Sequence, residues 1–347
     1  MRRWLIAAAI LPLLGGCYYF QAVSGQMELW RKSRPIDALI GDARTDANLR
    51  ERLEVVKQVR DFASRELALP DNGSYRKYAD LQRPYVVWNV FATPELSMKP
   101  VEWCFPFTGC VAYRGYFDEA GAVAFAEGMR KGGKDVFVAG IPAYSTLGWF
   151  DDPVLNTFIG YPDAEIARLM FHELAHQVVY VSGDTLFNES FATAVELAGM
   201  ERWLDRHGTP AQRAAFDRRQ DYKAGFVALV LDYRDRLKAL YASDLADDQK
   251  RARKAQAFAS LRSDYEALKR SWGGFAGYDR FFTGGLNNAH IVPVATYAEL
   301  VPAFRRLLAR EQGDFARFYA AVRDIGRLGR GERAARLGVP AAATPES

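Results

Sequence analysis

The sequence predicts an α+β domain, mostly helical, with a small N-terminal β-sheet. Three observations carry that reading. Short clusters of β-branched and aromatic residues, the side chains that suit a pleated surface, fall within the first 140 positions. Beyond about position 163, apolar residues recur at helical spacing between recognisable starts and stops. No internal repeat or low-complexity linker divides the 347 residues, so sheet and helices are expected to share one core.

In chain order, Arg2 and Arg3 precede an apolar run from Trp4 to Leu14 that is too short to span a bilayer, the pattern of an export signal. The run ends in Leu14-Gly15-Gly16-Cys17, which resembles the bacterial lipobox, so residues 1–16 are expected to be removed and Cys17 lipidated. Tyr18 follows, with no Asp to hold the protein at the inner membrane, so the expected address is the bacterial envelope, outer membrane, facing the periplasm. No later segment is apolar enough for a second membrane element. Residues 17–42 read as a membrane tether, 43–337 as the folded domain and 338–347 as a disordered tail.

Within the domain, Leu49, Leu53, Val56, Val59 and Leu67 mark a helix over 43–68. Tyr85–Phe91, Val111–Phe117 and Asp135–Ala139 read as strands, with a helix over Glu119–Arg130 stopped at Gly132-Gly133. Asp163 is the expected N-cap of a helix running to Ser182, and a second helix covers Asn188–His207, ended by Gly208 and Pro210. Further helices are expected over 211–242, 247–270, 296–310 and 314–328, with 273–290 a glycine-rich loop. Cys104 and Cys110, the two thiols left after Cys17, flank a Pro/Gly loop; in an exported chain they are expected to form a disulfide.

A net charge of +4 with interspersed acids excludes the concentrated basic stripe of a nucleic-acid-binding protein. The run Lys250–Lys254 reads as a solvated helix face.

The chemistry concentrates at Phe171-His172-Glu173-Leu174-Ala175-His176, which fits HExxH. Residues four apart on a helix lie one turn apart on one face, so both imidazoles can reach one metal ion. Imidazole suits Zn2+, one per chain, with Glu173 beside a water at the open position as general base. Two of the chain's four histidines fall in this spacing. Ile166, Met170, Leu174 and Val178 form a separate apolar stripe for packing. A third ligand comes from the next helix, where Glu189 lies 13 residues after His176. Glu196, two turns further on the same face, is expected to steady a ligand histidine, with its use as the ligand itself the rival assignment.

The pairing of HELAHQ with NESFATAVE resembles the gluzincin metallopeptidases, above all the membrane-alanyl aminopeptidase-like enzymes, whose motif pairs HExxH with a downstream NEGFA. By that resemblance His172, His176 and Glu189 match the zinc ligands and Glu173 the base. The gap between the two halves is shorter here, and a GxMEN strand is absent; Gly140–Tyr144 stands in the comparable place. The chain is also similar, from Cys17 nearly to its end, to a bacterial lipoprotein family of predicted aminopeptidases. Besides the two motifs, Gln21-Ala22, Gly25-Gln26, Cys104–Tyr116, Ala143–Phe150 and Leu286–Ala289 carry that similarity. It implies a zincin-like domain that hydrolyses peptides, most simply by removing N-terminal residues.

Tyr144, Tyr278 and Tyr297 are the candidates for an oxyanion donor, and Asp151, Asp152 and Glu102 for holding a substrate α-ammonium. His207 and His290 read as structural. Two other readings share the motif, an endopeptidase and a non-catalytic zinc-binding lipoprotein; Glu173 argues against the latter, because a structural site needs no base.

Overall fold

The computed structural model describes residues 18–105, 108–296 and 299–339. Cys17, the signal segment, Tyr297 and the tail from residue 340 lie outside them. The architecture is α+β and mostly helical, as the sequence predicts, with the strands divided among three small sheets where one was expected.

Helix α1 covers 18–32. The stretch read as a tether therefore begins as a helix, and Leu29, Ile36 and Leu39 are buried in the main core. Strand β1 (Arg34–Pro35) and helix α2 (Ile36–Gly41) lead to α3 (Ala47–Leu67), N-capped by Asp46, whose carboxylate accepts from the backbone of Asn48 and Leu49. Strand β2 (Lys77–Ala79) pairs with β1 and with β8 (Val154–Leu155). The larger sheet has the order β6-β3-β7, with β3 (Val87–Pro94) antiparallel to β6 (Arg114–Tyr116) and to β7 (Lys134–Ile141). Between them Cys104 and Cys110 are disulfide-bonded across the hairpin of β4 (Trp103–Phe105) and β5 (Gly109–Val111). The strand expected over Val111–Phe117 is thus shared between β5 and β6.

Helix α4 (Glu119–Lys131) packs on this sheet through Ala122 and Ala126, and the short α5 (Asn156–Ile159) follows β8. The site sits on α6 (Asp163–Ala175) and α7 (Thr185–His207), which pack against each other, α3 and α11 (Val301–Arg310). Ile166, Met170, Phe171 and Leu174 of α6 are fully buried. Burial of a side chain of this size contributes roughly 1.5–3 kcal/mol, so the stripe is what holds the motif helix in place.

Helix α6 starts after Pro162, with Asp163 its first residue, and ends at Ala175 with His176 as C-cap, well short of Ser182. His176 keeps right-handed helical backbone angles, so the one-turn spacing from His172 survives. The valines at 178, 179 and 181 are poor helix formers, and Asn188 captures the backbone of Val181 in two hydrogen bonds of 2.7 and 2.8 Å. Helix α7 starts three residues earlier than expected, capped by Asp184, which Arg333 of α13 (Arg330–Leu337) grips at 2.7 Å.

Helices α8 (Pro210–Ala242) and α9 (Asp247–Ser271) form a hairpin around a second apolar cluster containing Phe226, Tyr233 and Tyr265. Within the basic run, Lys254 pairs with Asp135 at 2.6 Å and Arg251 with Glu95 at 3.0 Å, which ties α9 to the sheet. The segment read as a glycine-rich loop contains a 3-10 turn at Asp279–Phe282 and the start of α10 (Asn288–Thr296). Pro293 inside α10 hid that helix from a reading by propensity. The helix expected from 296 begins at Val301, and α12 (Phe315–Gly326) closes the main core.

Candidate metal centre

Helices α6 and α7 bring His172, His176 and Glu189 together, with one donor atom from each lying within 4.8 Å of the others. Glu189 Oε2 is 3.2 Å from His172 Nε2 and 3.6 Å from His176 Nε2. Donors at ~2.1 Å from a tetrahedral ion stand ~3.4 Å apart, so these separations fit one divalent ion. All three side chains are buried. Two imidazoles and one carboxylate are a donor set that suits zinc.

On the far side of the His172 ring, Glu196 Oε2 lies 3.0 Å from Nδ1. A carboxylate only accepts, so Nδ1 carries the hydrogen and Nε2 is directed to the metal position. Glu196 occupies the place expected for it; a direct ligand role, the rival assignment, does not fit a carboxylate turned to Nδ1. Arg168, one turn before His172, holds Glu196 Oε1 at 3.0 Å and Glu165 at 2.8 Å. The sequence reading missed Arg168. A charged residue four positions before the first histidine, with a glutamate three before it, was its available signal. His176 Nδ1 is buried with no hydrogen-bond partner among the described residues.

The charges explain one another. Burial opposes the charged form of His172, but hydrogen bonds to Glu189 and Glu196 and their negative charges overcome it and hold the ring up to about 10. Burial would raise Glu189 and Glu196 too. The His176 charge and the His172 hydrogen bond bring Glu189 well below the usual carboxylate range; Arg168, His172 and Lys223 do the same for Glu196. A cation held by the three donors would take the place of a proton on His172 Nε2. Glu173 is half-buried, and burial pushes its carboxyl up, against the pull of His172 and His176. Its carboxylate accepts no hydrogen bond from a described residue.

The charge of Glu173 acts on two further groups. Tyr75 is buried, with backbone in the left-handed region (φ 61°) and a hydroxyl that has no hydrogen-bond partner among the described residues. Its backbone N–H donates to the Asp152 carbonyl at 2.6 Å. The Asp152 carboxyl is pushed up to about 7 by burial, against hydrogen bonds from Thr146, and the charge of Glu173 adds to the rise. The loop bearing Tyr75 is fastened by buried Arg60, which donates to Ser74 O at 2.8 Å, and by Gln177, whose amide reaches Ser74 Oγ at 3.1 Å.

On the other flank, burial and the Glu189 charge raise Tyr113 and Tyr180, the latter to about 12. The charge of Glu173 acts on Tyr113 as well. Tyr180 donates to Thr108 O at 3.3 Å, and Gly183 N–H to the same carbonyl at 3.2 Å, which docks the disulfide hairpin on the turn between α6 and α7. Gly109 is required there: with φ 76°, an added Cβ would lie 2.6 Å from the Gly183 nitrogen.

Of the tyrosines read from sequence, Tyr144 donates to Gln26 and packs on Phe117, and Tyr278 stacks on Phe226 in the second cluster. Tyr113, whose ionisation the charges of Glu189 and Glu173 both oppose, was not among them. Asp151 and Glu102 are exposed, and only Asp152 of the three acids is buried beside Glu173. His290 lies on Phe137 and His207 on Trp203, outside the three-residue group. No described helix is long and apolar enough to cross a membrane.

No curated protein and no solved structure matches the chain. A family model does match it, over residues 17–337, which takes in α1 to α13 and every residue of the centre. The chain belongs to the family described as "Putative aminopeptidase".

Proposed function

We propose that this protein is a zinc-dependent aminopeptidase of the bacterial envelope, held to the outer membrane by lipid on Cys17 and facing the periplasm. The observation that carries the zinc reading is the donor triangle of His172, His176 and Glu189, with Glu196 behind His172 and Glu173 next in sequence to the first histidine. Zinc held by His172, His176 and Glu189 would supply Lewis acidity to a bound water and to the scissile carbonyl. Glu173 accepts the proton of the attacking water and delivers it to the departing amine. We assign Tyr113, whose hydroxyl feels the charges of Glu189 and Glu173, the role of donor to the carbonyl oxygen as negative charge gathers on it, an effect often worth roughly 3–4 kcal/mol. Asp152, buried and acted on by the charge of Glu173, is the carboxylate we assign to a free α-ammonium, and this favours an exopeptidase over an endopeptidase.

The test is turnover of aminoacyl anilides beside N-blocked peptides, for the wild type and Glu173→Gln. The proposal expects free-amine substrates to be cleaved and the variant to lose activity by at least about a thousandfold. Equal activity in the two proteins would remove Glu173 as the base, and a preference for blocked peptides would assign an endopeptidase.

A further inference from the structure

Helix α1 is inverted relative to an ordinary surface helix. Its inner face is small and polar: Gln21 Oε1 accepts from the Phe117 backbone at 2.9 Å, Gln26 accepts from the Tyr144 hydroxyl, and Gly25 presses on the Phe117 ring so closely that a Cβ would overlap it. Leu29 enters the main core from this side, and Tyr18 at the start of the helix packs on Phe105 and Tyr116. The outward face is apolar. Of the eight large apolar side chains exposed among the described residues, five lie on α1, and Trp149 and Phe150 make up two of the remaining three. Phe20 is 75% exposed. Trp30 meets Phe150 edge-on at 4.7 Å, so the stripe continues from α1 onto the loop before β8.

From these observations we propose that the outer face of α1, continued by Phe150, is a bilayer-docking surface on which the folded body lies flat against phospholipid. An amphipathic helix with aromatic residues on its apolar side settles at the headgroup boundary, where Trp and Tyr are favoured. The position of the stripe selects a membrane rather than a second copy of this chain. It starts at Tyr19, two residues after Cys17, so acyl chains on that cysteine would enter the bilayer beside it. The 15 residues of α1 extend about 22 Å, and a helix standing off the membrane would leave that whole length of apolar surface in water. At the far end Arg31 follows Trp30 on the exposed side and offers a cation to anionic headgroups, whereas the exposed Arg34 and Arg44 are both paired with Asp42.

The experiment uses the chain from residue 18 onward, without any acyl group. It keeps every residue of the described apolar clusters, and its fold is checked by circular dichroism and thermal melting. Sedimentation with vesicles of phosphatidylethanolamine and phosphatidylglycerol is compared for the wild type, a polar variant (Phe20→Ser, Val23→Ser, Met27→Ser, Trp30→Ser) and an apolar control (Phe20→Leu, Val23→Leu). The proposal expects the wild type and the control to sediment, and the polar variant to bind at least about tenfold more weakly at an unchanged melting temperature. Failure of the wild type to bind, or equal binding by the polar variant, would overturn it. A dimer in light scattering that the polar substitutions abolish would give the face to a second copy instead. None of these readouts depends on peptidase activity.

Discussion

His172 Nδ1 and Glu196 Oε2 stand 3.0 Å apart, joining the motif of α6 to a carboxylate two turns beyond the candidate ligand on α7. The contact makes the ring's second nitrogen available to a metal, and Arg168 holds Glu196 from behind at 3.0 Å. Glu165, Arg168, Glu196 and His172 therefore form one charged chain ending at the metal position, and its members are expected to fail together.

Replacing Arg168 tests that chain. Arg168→Met leaves the buried Glu196 without its cation, which is expected to cost roughly 3 kcal/mol of stability and to lower metal affinity about 10- to 100-fold. Chemical denaturation and competition with a chelator measure the two effects. Removing both partners, in Arg168→Met with Glu196→Gln, is expected to recover part of the stability and none of the metal affinity.

Metal uptake should release a proton. Metal-free His172 is held up to about 10 by Glu189 and Glu196, so at pH 7 its ring is charged and an ion must displace the proton on Nε2. Calorimetry in buffers of different ionisation enthalpy is expected to report that release. The same shift stabilises the metal-free fold below the unfolded value of about 6.5. That contribution is lost as pH rises towards 10, so the melting temperature of metal-free protein should fall across this window, and fall less in Glu196→Gln.

Tyr113→Phe isolates the proposed oxyanion donor. With zinc content unchanged, kcat for an aminoacyl anilide is expected to drop about 100- to 1000-fold with little change in KM, because the hydrogen bond strengthens only as charge develops. An unchanged kcat would return Tyr113 to an ordinary aromatic role. The same substitution at Tyr180, whose hydroxyl is committed to Thr108, is expected to matter far less.

Asp152→Asn separates function from stability. Burial makes ionisation of this carboxyl unfavourable: its folded value of about 7 lies above the unfolded one, so it destabilises the fold increasingly as pH rises from about 4 towards 7. The amide is therefore expected to melt no lower than wild type at pH 8. Turnover of free-amine substrates should fall while that of N-blocked peptides does not.

The centre was legible because its parts are local. HExxH and the following Asn-Glu place donors by helical period alone, and Glu196 follows from two further turns of α7. Tyr75, Tyr113 and Asp152 arrive from separate loops and a strand edge, and no spacing in the chain marks their approach to Glu173. The end of α6 was misjudged because no Gly or Pro appears before Gly183, while the interaction that stops the helix, Asn188 on Val181, comes from the next one. Helix α1 escaped because the usual pattern is reversed: its apolar residues face outward, and the residues that seat it are Gln21, Gly25 and Gln26. The motif match over Gln21-Ala22 and Gly25-Gln26 was the trace of that seating.

The account rests on one ion held by two imidazoles and a carboxylate. Metal analysis of the purified protein, joined to X-ray absorption at the zinc edge, tests it most directly. The predicted result is one zinc per chain with nitrogen and oxygen neighbours at ~2.0–2.1 Å, reduced to a trace in His176→Ala and in Glu189→Ala. A folded protein that takes up no zinc when offered it, or that holds zinc equally well without His176 and Glu189, would contradict the account.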